Sequence, residues 1–192
     1  IPGSMADVSA EWVEECIGRG KLNNINLVPM GEGVGMMSSM SIIELEWEGS
    51  TNLPSSLVLK LAAENETNRT VSQQFNLYLK EVSYYKDLAP RTTARSPRIY
   101  ASEIDEEHNF FLLMEDVSSY RMGSQVDGAT AEECELCIDF LINLHASFWN
   151  QLNGISWLPN MSGSDNAKNM ALGCEAGWPQ LQEIFGNFVP DN

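Results

Sequence analysis

The sequence predicts an α+β chain: five strands with one crossing helix, followed by a mostly helical second part. Three observations carry this. Short runs of aliphatic, β-branched and aromatic residues recur up to Val117, separated by Gly, Pro and polar turns. One longer segment among them switches to a helical period, with Phe75, Tyr78, Leu79, Val82 and Tyr85 in an i, i+3, i+4, i+7 pattern. Beyond Gly128 the pattern is mostly helical.

The elements follow in order. Ile1-Pro2-Gly3-Ser4 before Met5 reads as a cloning scar and is set outside the fold. Ser9 caps a short helix through Trp12, Val13, Cys16 and Ile17, stopped at Gly18 or Gly20. Residues 26–30 form a strand leading into a glycine-rich stretch, and residues 41–47 form the next. A polar turn over 48–52 and Pro54 precede a strand over 57–61. After a polar connection, Thr70 and Gln73 have capping-box spacing and open a helix reaching about Leu88. Pro90 and Pro97 bracket a loop. Residues 98–102 and 110–114 form a hairpin around Asp105-Glu106-Glu107. A loop over 118–128 leads to Thr130 and Glu133, a second capping box. The helix it starts runs to about Asn150, with Cys137, Ile138, Leu141, Leu144, His145 and Phe148 on its inner face. Residues 160–169 are polar, and the tail beyond carries scattered apolar side chains.

Charge and cysteine content narrow the function. A net charge of −16 excludes nucleic acid and anionic membrane surfaces as partners, because phosphates are held by Lys and Arg clusters. An acidic face suits a cationic substrate, but a solvated acidic surface is the commoner meaning. No apolar run approaches the ~20 residues of a membrane span, and no signal segment opens the chain. The four scattered cysteines suit the cytoplasm. Cys134 and Cys137 form a C-x-x-C within a predicted helix; zinc would need a second ligand pair, and a redox motif a strand–turn–helix. They read as small core or flank residues, and no metal site is expected.

Phosphates are bound by backbone N–H groups where glycine lets the chain approach closely. Gly33 and Gly35, between two strands, have that form, and a plain hairpin has it too. No Gly-Lys-Ser/Thr follows, so this is not a Walker loop. Lys60 is more telling. Alternation puts Leu57, Leu59 and Leu61 on one sheet face and Val58 and Lys60 on the other. A lysine among aliphatics either snorkels from an edge strand or needs a partner. Glu81 is the available carboxylate: on the helical wheel it lies ~40° from Tyr85 and ~60° from Tyr78, bordering the apolar face.

Taken together, residues from about Leu27 to Pro159 resemble the aminoglycoside phosphotransferase/choline kinase superfamily, and most of all the bacterial relatives of ecdysteroid kinase-like proteins. The resemblance is carried by Pro29-Met30-Gly31-Glu32-Gly33-Val34-Gly35-Met36-Met37, Pro54-Ser55-Ser56-Leu57-Val58-Leu59-Lys60-Leu61 and Lys80-Glu81-Val82-Ser83-Tyr84-Tyr85-Lys86-Asp87-Leu88-Ala89-Pro90. It continues in Leu112-Leu113-Met114-Glu115-Asp116-Val117 and Leu144-His145-Ala146-Ser147-Phe148-Trp149. The resemblance implies a kinase-like N-terminal lobe over residues 5–117, a five-stranded antiparallel sheet with a crossing helix, and a partial helical lobe over 118–192. It implies that Gly33, Gly35 and Ser38 cover ATP phosphates, that Lys60 contacts the α- and β-phosphates held by Glu81, and that Met114, Glu115, Asp116 and Val117 hold adenine through backbone groups.

One departure matters as much. The family places its chemistry in an H-G-D-x-x-x-x-N loop followed by a strand with a metal-binding Asp. Of the two histidines, His108 sits in the predicted hairpin, and His145 has Ser147 where the Asp should stand. Ile138-Asp139-Phe140 mimics a metal-binding triplet but lies upstream, within a helix. The expectation is a truncated small-molecule phosphotransferase, inactive as this chain, with no catalytic residue, weak or absent ATP binding, and magnesium only in the full-length family. The alternative is a non-catalytic nucleotide-binding or self-associating protein. A homo-oligomer is expected because the 131–150 helix is apolar around most of its circumference.

Overall fold

Ser9 starts the first helix, α1 (Ala10–Ile17): its hydroxyl accepts the Trp12 amide at 3.2 Å. The structure is a computed structural model that describes residues 1–30, 37–121, 123–124, 126–158 and 165–186, without the Asn166 side chain. Two compact units divide it, Ile1–Asn153 and Gly154–Asn192. The division falls after Asn153, whereas the sequence reading draws its line after Val117. The first four residues make contacts with the unit. Pro2 is buried, and the Ser4 hydroxyl and amide both donate to Asp7 at 2.9 and 2.8 Å.

Five strands form one antiparallel sheet: β1 (Leu22–Met30), β2 (Ser38–Trp47), β3 (Ser56–Ala62), β4 (Ile99–Ile104) and β5 (Phe110–Glu115), in the order β1-β2-β3-β5-β4. This is the α+β class expected. β1 starts earlier than expected, at Leu22. It is an edge strand, so Asn23, Asn24 and Asn26 turn outward to water at little cost, and their polarity hides the strand in the sequence.

The sheet is buried on both faces. Leu57, Leu59 and Leu61 of β3 join Ile43, Leu45, Phe111 and Leu113 on one face, covered by Val13, Trp12 and Ile17 of α1. Trp12 meets Phe111 edge-on at 5.0 Å. On the other face Val58, Phe110, Leu112 and Met114 pack against Tyr78 and Val82. β3 and β5 lie at the centre and contribute to both cores, so their sequences read as near-continuous apolar runs.

The crossing helix differs from expectation. Asn65, not Thr70, caps it; the Asn65 carboxamide oxygen accepts the Asn68 amide at 3.1 Å. α2 (Glu66–Gln74) therefore starts a turn early, with Thr70 and Gln73 in its interior, where no N–H is free to be capped. The helix then breaks at Asn76, which is left-handed at φ 52°. Asn tolerates that conformation better than other side chains. α3 (Leu77–Ser83) follows, then a wider π turn over Tyr84–Leu88 and a 3-10 turn at Ala89–Arg91.

The Thr130/Glu133 capping box forms as read, and α4 (Ala131–Phe148) follows. Its expected inner face is not covered. Among the described residues of α4 only Phe148 is buried, under the Arg91 guanidinium at 5.2 Å from its ring. Cys134 and Cys137 are free, exposed thiols on the helix flank. In the second unit α5 (Asp165–Phe185) occupies what reads in sequence as a polar stretch and a weak tail. Residues 165–169 form its first turn. Met170, Leu172, Ile184 and Phe185 are exposed on it, so it shows no continuous buried stripe, and Pro179 lies inside it.

Two glycines give a test of the packing. Gly20 has φ +85°, and a Cβ there would meet the Trp47 ring at 2.6 Å and Leu53 at 2.7 Å. Gly49 has φ +75° with nothing within 4 Å. Gly49→Ala should cost about 1 kcal/mol, the strain of a left-handed alanine. Gly20→Ala should cost about 1–3 kcal/mol more, the added cost of overpacking. Urea unfolding of both variants measures the difference, and equal losses would remove the role given to Trp47 and Leu53 against Gly20.

Candidate functional site

Lys60 sits in the middle of β3, opposite Met40 of β2 on one side and Leu112 of β5 on the other. Its neighbours supply no charge, and an unpaired ammonium there would be costly to bury. The structure pairs it. Lys60 Nζ lies 2.6 and 2.8 Å from the two carboxylate oxygens of Glu81. The lysine side chain is 20 % exposed and the glutamate 31 %, so the pair is shielded on the sheet side and open on the other.

α3 makes the pairing possible. Tyr78 and Val82 are its buried residues. Glu81 borders that stripe, so docking the stripe onto β5 brings the carboxylate over β3. The expected lysine–glutamate pair is thus formed by two independent packing decisions: which face of β3 meets the helix, and which face of the helix meets the sheet.

Gly33 and Gly35 lie outside the described residues. Their neighbour Met37 is described, and its carbonyl accepts the Tyr78 phenol at 2.9 Å. Ser72, fully buried, also points its hydroxyl at that carbonyl, at 3.5 Å. Ser38, the first residue of β2, is paired with Ala62 at the end of β3. Lys60, Glu81, Ser38 and the root of the glycine stretch therefore share the α3 end of the sheet.

The 114–117 segment has a different environment. The Met114 side chain is in the core below α3. Glu115 turns toward the edge, where its carboxylate accepts the Arg98 amide at 3.1 Å. Asp116 is committed to the connection itself. It accepts the Ser56 hydroxyl at 2.6 Å and the Ser118 amide at 2.9 Å. The Ser118 and Ser56 hydroxyls hold its carboxyl below the usual Asp range. The Val117 carbonyl accepts the Tyr120 amide at 2.9 Å, closing a turn. The sequence reading missed Ser56 and Ser118. Ser118 follows Asp116 by two residues, the spacing of an Asx turn, and that signal was available.

Other residues weighed in the sequence fall elsewhere. His108 is in the β4–β5 turn with φ 61°, and His145, Asp139 and Ser147 are all within α4. The Ser147 hydroxyl donates to the Asn143 carbonyl at 2.7 Å and accepts from the Thr92 hydroxyl at 3.0 Å, a tie between α4 and the segment before β4. Among the described residues no three His, Cys, Asp or Glu side chains cluster as ligands of a metal ion would. No helix among them is long and apolar enough to cross a membrane.

A five-stranded antiparallel sheet whose central strand lysine is tied to a helix glutamate is the frame of a kinase-like nucleotide lobe. The chain belongs to the ecdysteroid kinase-like family, whose family model matches residues 32–149. No curated protein and no solved structure matches it. The match takes in the glycine stretch, Lys60, Glu81, residues 114–117 and all of α4.

Asp116 makes the site's acid response readable. Its carboxyl titrates below its unfolded value of about 3.9, so its stabilising effect is complete above that pH and is lost as pH falls through the lower, folded value. The stability gap between the wild type and Asp116→Asn should be widest near neutral pH and should shrink below about pH 4. A gap that stays constant down to about pH 3 in urea unfolding would contradict the assigned bonds.

Proposed function

We propose that this lobe binds the phosphates of an adenine nucleotide, as the nucleotide half of a phosphotransferase that moves the γ-phosphoryl of ATP to a hydroxyl of a small molecule. The carrying observation is the Lys60–Glu81 pair. An ammonium has three N–H donors, and its open side leaves donor capacity for a phosphate oxygen. Glu81 fixes where that charge stands, so no reorganisation is needed when the nucleotide arrives. Gly33, Gly35 and Ser38 would cover the phosphates, and the backbone of Met114, Glu115, Asp116 and Val117 would hold adenine. Asp116 in this reading shapes the connection by its bonds to Ser56 and Ser118 rather than by touching the ligand.

The base and metal ligands of phosphoryl transfer are another matter. The 192-residue sequence contains no H-G-D-x-x-x-x-N run, and among the described residues no three His, Cys, Asp or Glu side chains cluster. In our reading this chain binds nucleotide weakly and transfers nothing. Calorimetry with ATP, with and without magnesium, tests it on the wild type and Lys60→Ala. A charge-assisted hydrogen bond is worth about 1.5–3 kcal/mol, so the variant should bind at least about tenfold more weakly. Equal affinities would remove Lys60 from the site, and magnesium-dependent transfer above the Lys60→Ala control would overturn the inactive reading.

A second reading, self-association, is favoured by α4. Leu136, Ile138, Leu141, Ile142 and Trp149 are exposed along and just beyond it, around a groove lined also by His145 and Ala146. At ~25 cal/mol per Å², covering such side chains with a second copy would be favourable by several kcal/mol. Light scattering at about 50 μM should then show a dimer or larger species, and a clean monomer would rule this reading out.

A further inference from the structure

Tyr78 holds a hydroxyl where packing needs only a ring. Its side chain is 2 % exposed and stacks on Phe110, with centroids 4.3 Å apart and planes 18° from parallel. Phenylalanine would fill the same space. The hydroxyl nevertheless has two partners: the Ala63 amide at 3.0 Å and the Met37 carbonyl at 2.9 Å. An amide can only donate, so the phenol oxygen accepts from Ala63 and its proton goes to Met37. The direction of the bond is thereby fixed.

The three segments joined at this oxygen flank Lys60 and Glu81. Met37 directly precedes β2. Ala63 follows β3 directly, three residues beyond Lys60. Tyr78 is on α3, one turn before Glu81. We propose that Tyr78 is a positioning residue: its hydroxyl sets Met37, the root from which β2 starts, at a fixed place relative to Lys60 and Glu81. This rests on the nucleotide reading above, and it deepens it by naming what holds the start of β2 beside the Lys60 ammonium. Ser72, pointing at the same Met37 carbonyl from α2, restrains the root from a second side.

The test is Tyr78→Phe, which keeps the stack and removes only the oxygen. In amide hydrogen exchange without ligand, Ala63 and residues 37–40 should exchange about tenfold faster, while Leu57 to Leu61 keep their protection. Unchanged exchange at Ala63 overturns the proposal. In the binding arm, affinity for ATP should fall several-fold while affinity for adenosine stays the same. Equal losses for both ligands, or a variant that does not fold, would make the phenol a structural requirement and overturn it too. A wild type that binds neither ligand defeats the nucleotide reading. The exchange arm still decides whether the phenol fixes the root.

Discussion

One charge in the centre of an aliphatic sheet sets the terms for the rest of this lobe. Lys60 stands between Met40 and Leu112 with no carboxylate on its own sheet neighbours. Its ammonium can be kept there only if an acidic side chain is delivered from outside the sheet. That requirement fixes the rotation of α3, because Glu81 must face β3 while Tyr78 and Val82 stay in the core. It also bears on the break at Asn76. An uninterrupted helix from α2 would carry one axis through both segments, whereas the left-handed residue lets α3 take its own direction. The partly buried pair adds little net stability, because desolvation offsets its attraction, but removing one partner leaves the other half-buried and uncompensated.

Hydrophobic burial on both faces makes the platform rigid enough for this to matter. β3 and β5 are apolar almost throughout, and each contributes alternate residues to two separate cores. α1 seals the face away from Lys60. The division of labour follows from period-two geometry: a shift of one residue in β3 would place Lys60 under α1, among Val13 and Trp12 and away from Glu81.

How much of this was legible depends on how local the cause is. The strand lysine and its glutamate were readable, since alternation and a helical wheel each need only a few residues. The Ser9 and Thr130 caps were readable for the same reason. The start of α2 was not, because Thr70 and Gln73 match a capping box as well as Asn65 matches a cap, and packing chose between them. α5 was hidden for a different reason. A helix with Met170, Leu172 and Ile184 exposed has no buried stripe to impose a period, and Gly173, Gly177 and Pro179 read as breakers. The Ser56–Asp116 bond joins residues 60 positions apart, and no spacing rule reaches that far. Gly33 and Gly35 were singled out in the sequence and lie outside the described residues.

The contrast between the sheet and α4 has an energetic side. The sheet unit is held by two apolar cores with fully buried Ile43, Leu57, Leu59, Leu112 and Leu113. α4 is held to it by one buried side chain, Phe148 under Arg91, and by the Ser147–Thr92 hydrogen bond, while Arg121 of the preceding loop pairs with Glu133. Exposed pairs and single hydrogen bonds contribute about 1 kcal/mol or less each. Core side chains contribute about 1.5–3 kcal/mol each. Opening α4 away from the sheet therefore costs far less than opening the sheet. The Lys60–Glu81 geometry depends on β3, β5 and α3, all inside the well-packed part. The connection at Asp116, clamped by Ser56 and Ser118, is where the strongly held part meets the weakly held one. In a lobe built this way the position of the Lys60 ammonium is set by the two apolar cores and not by the helix beyond the connection.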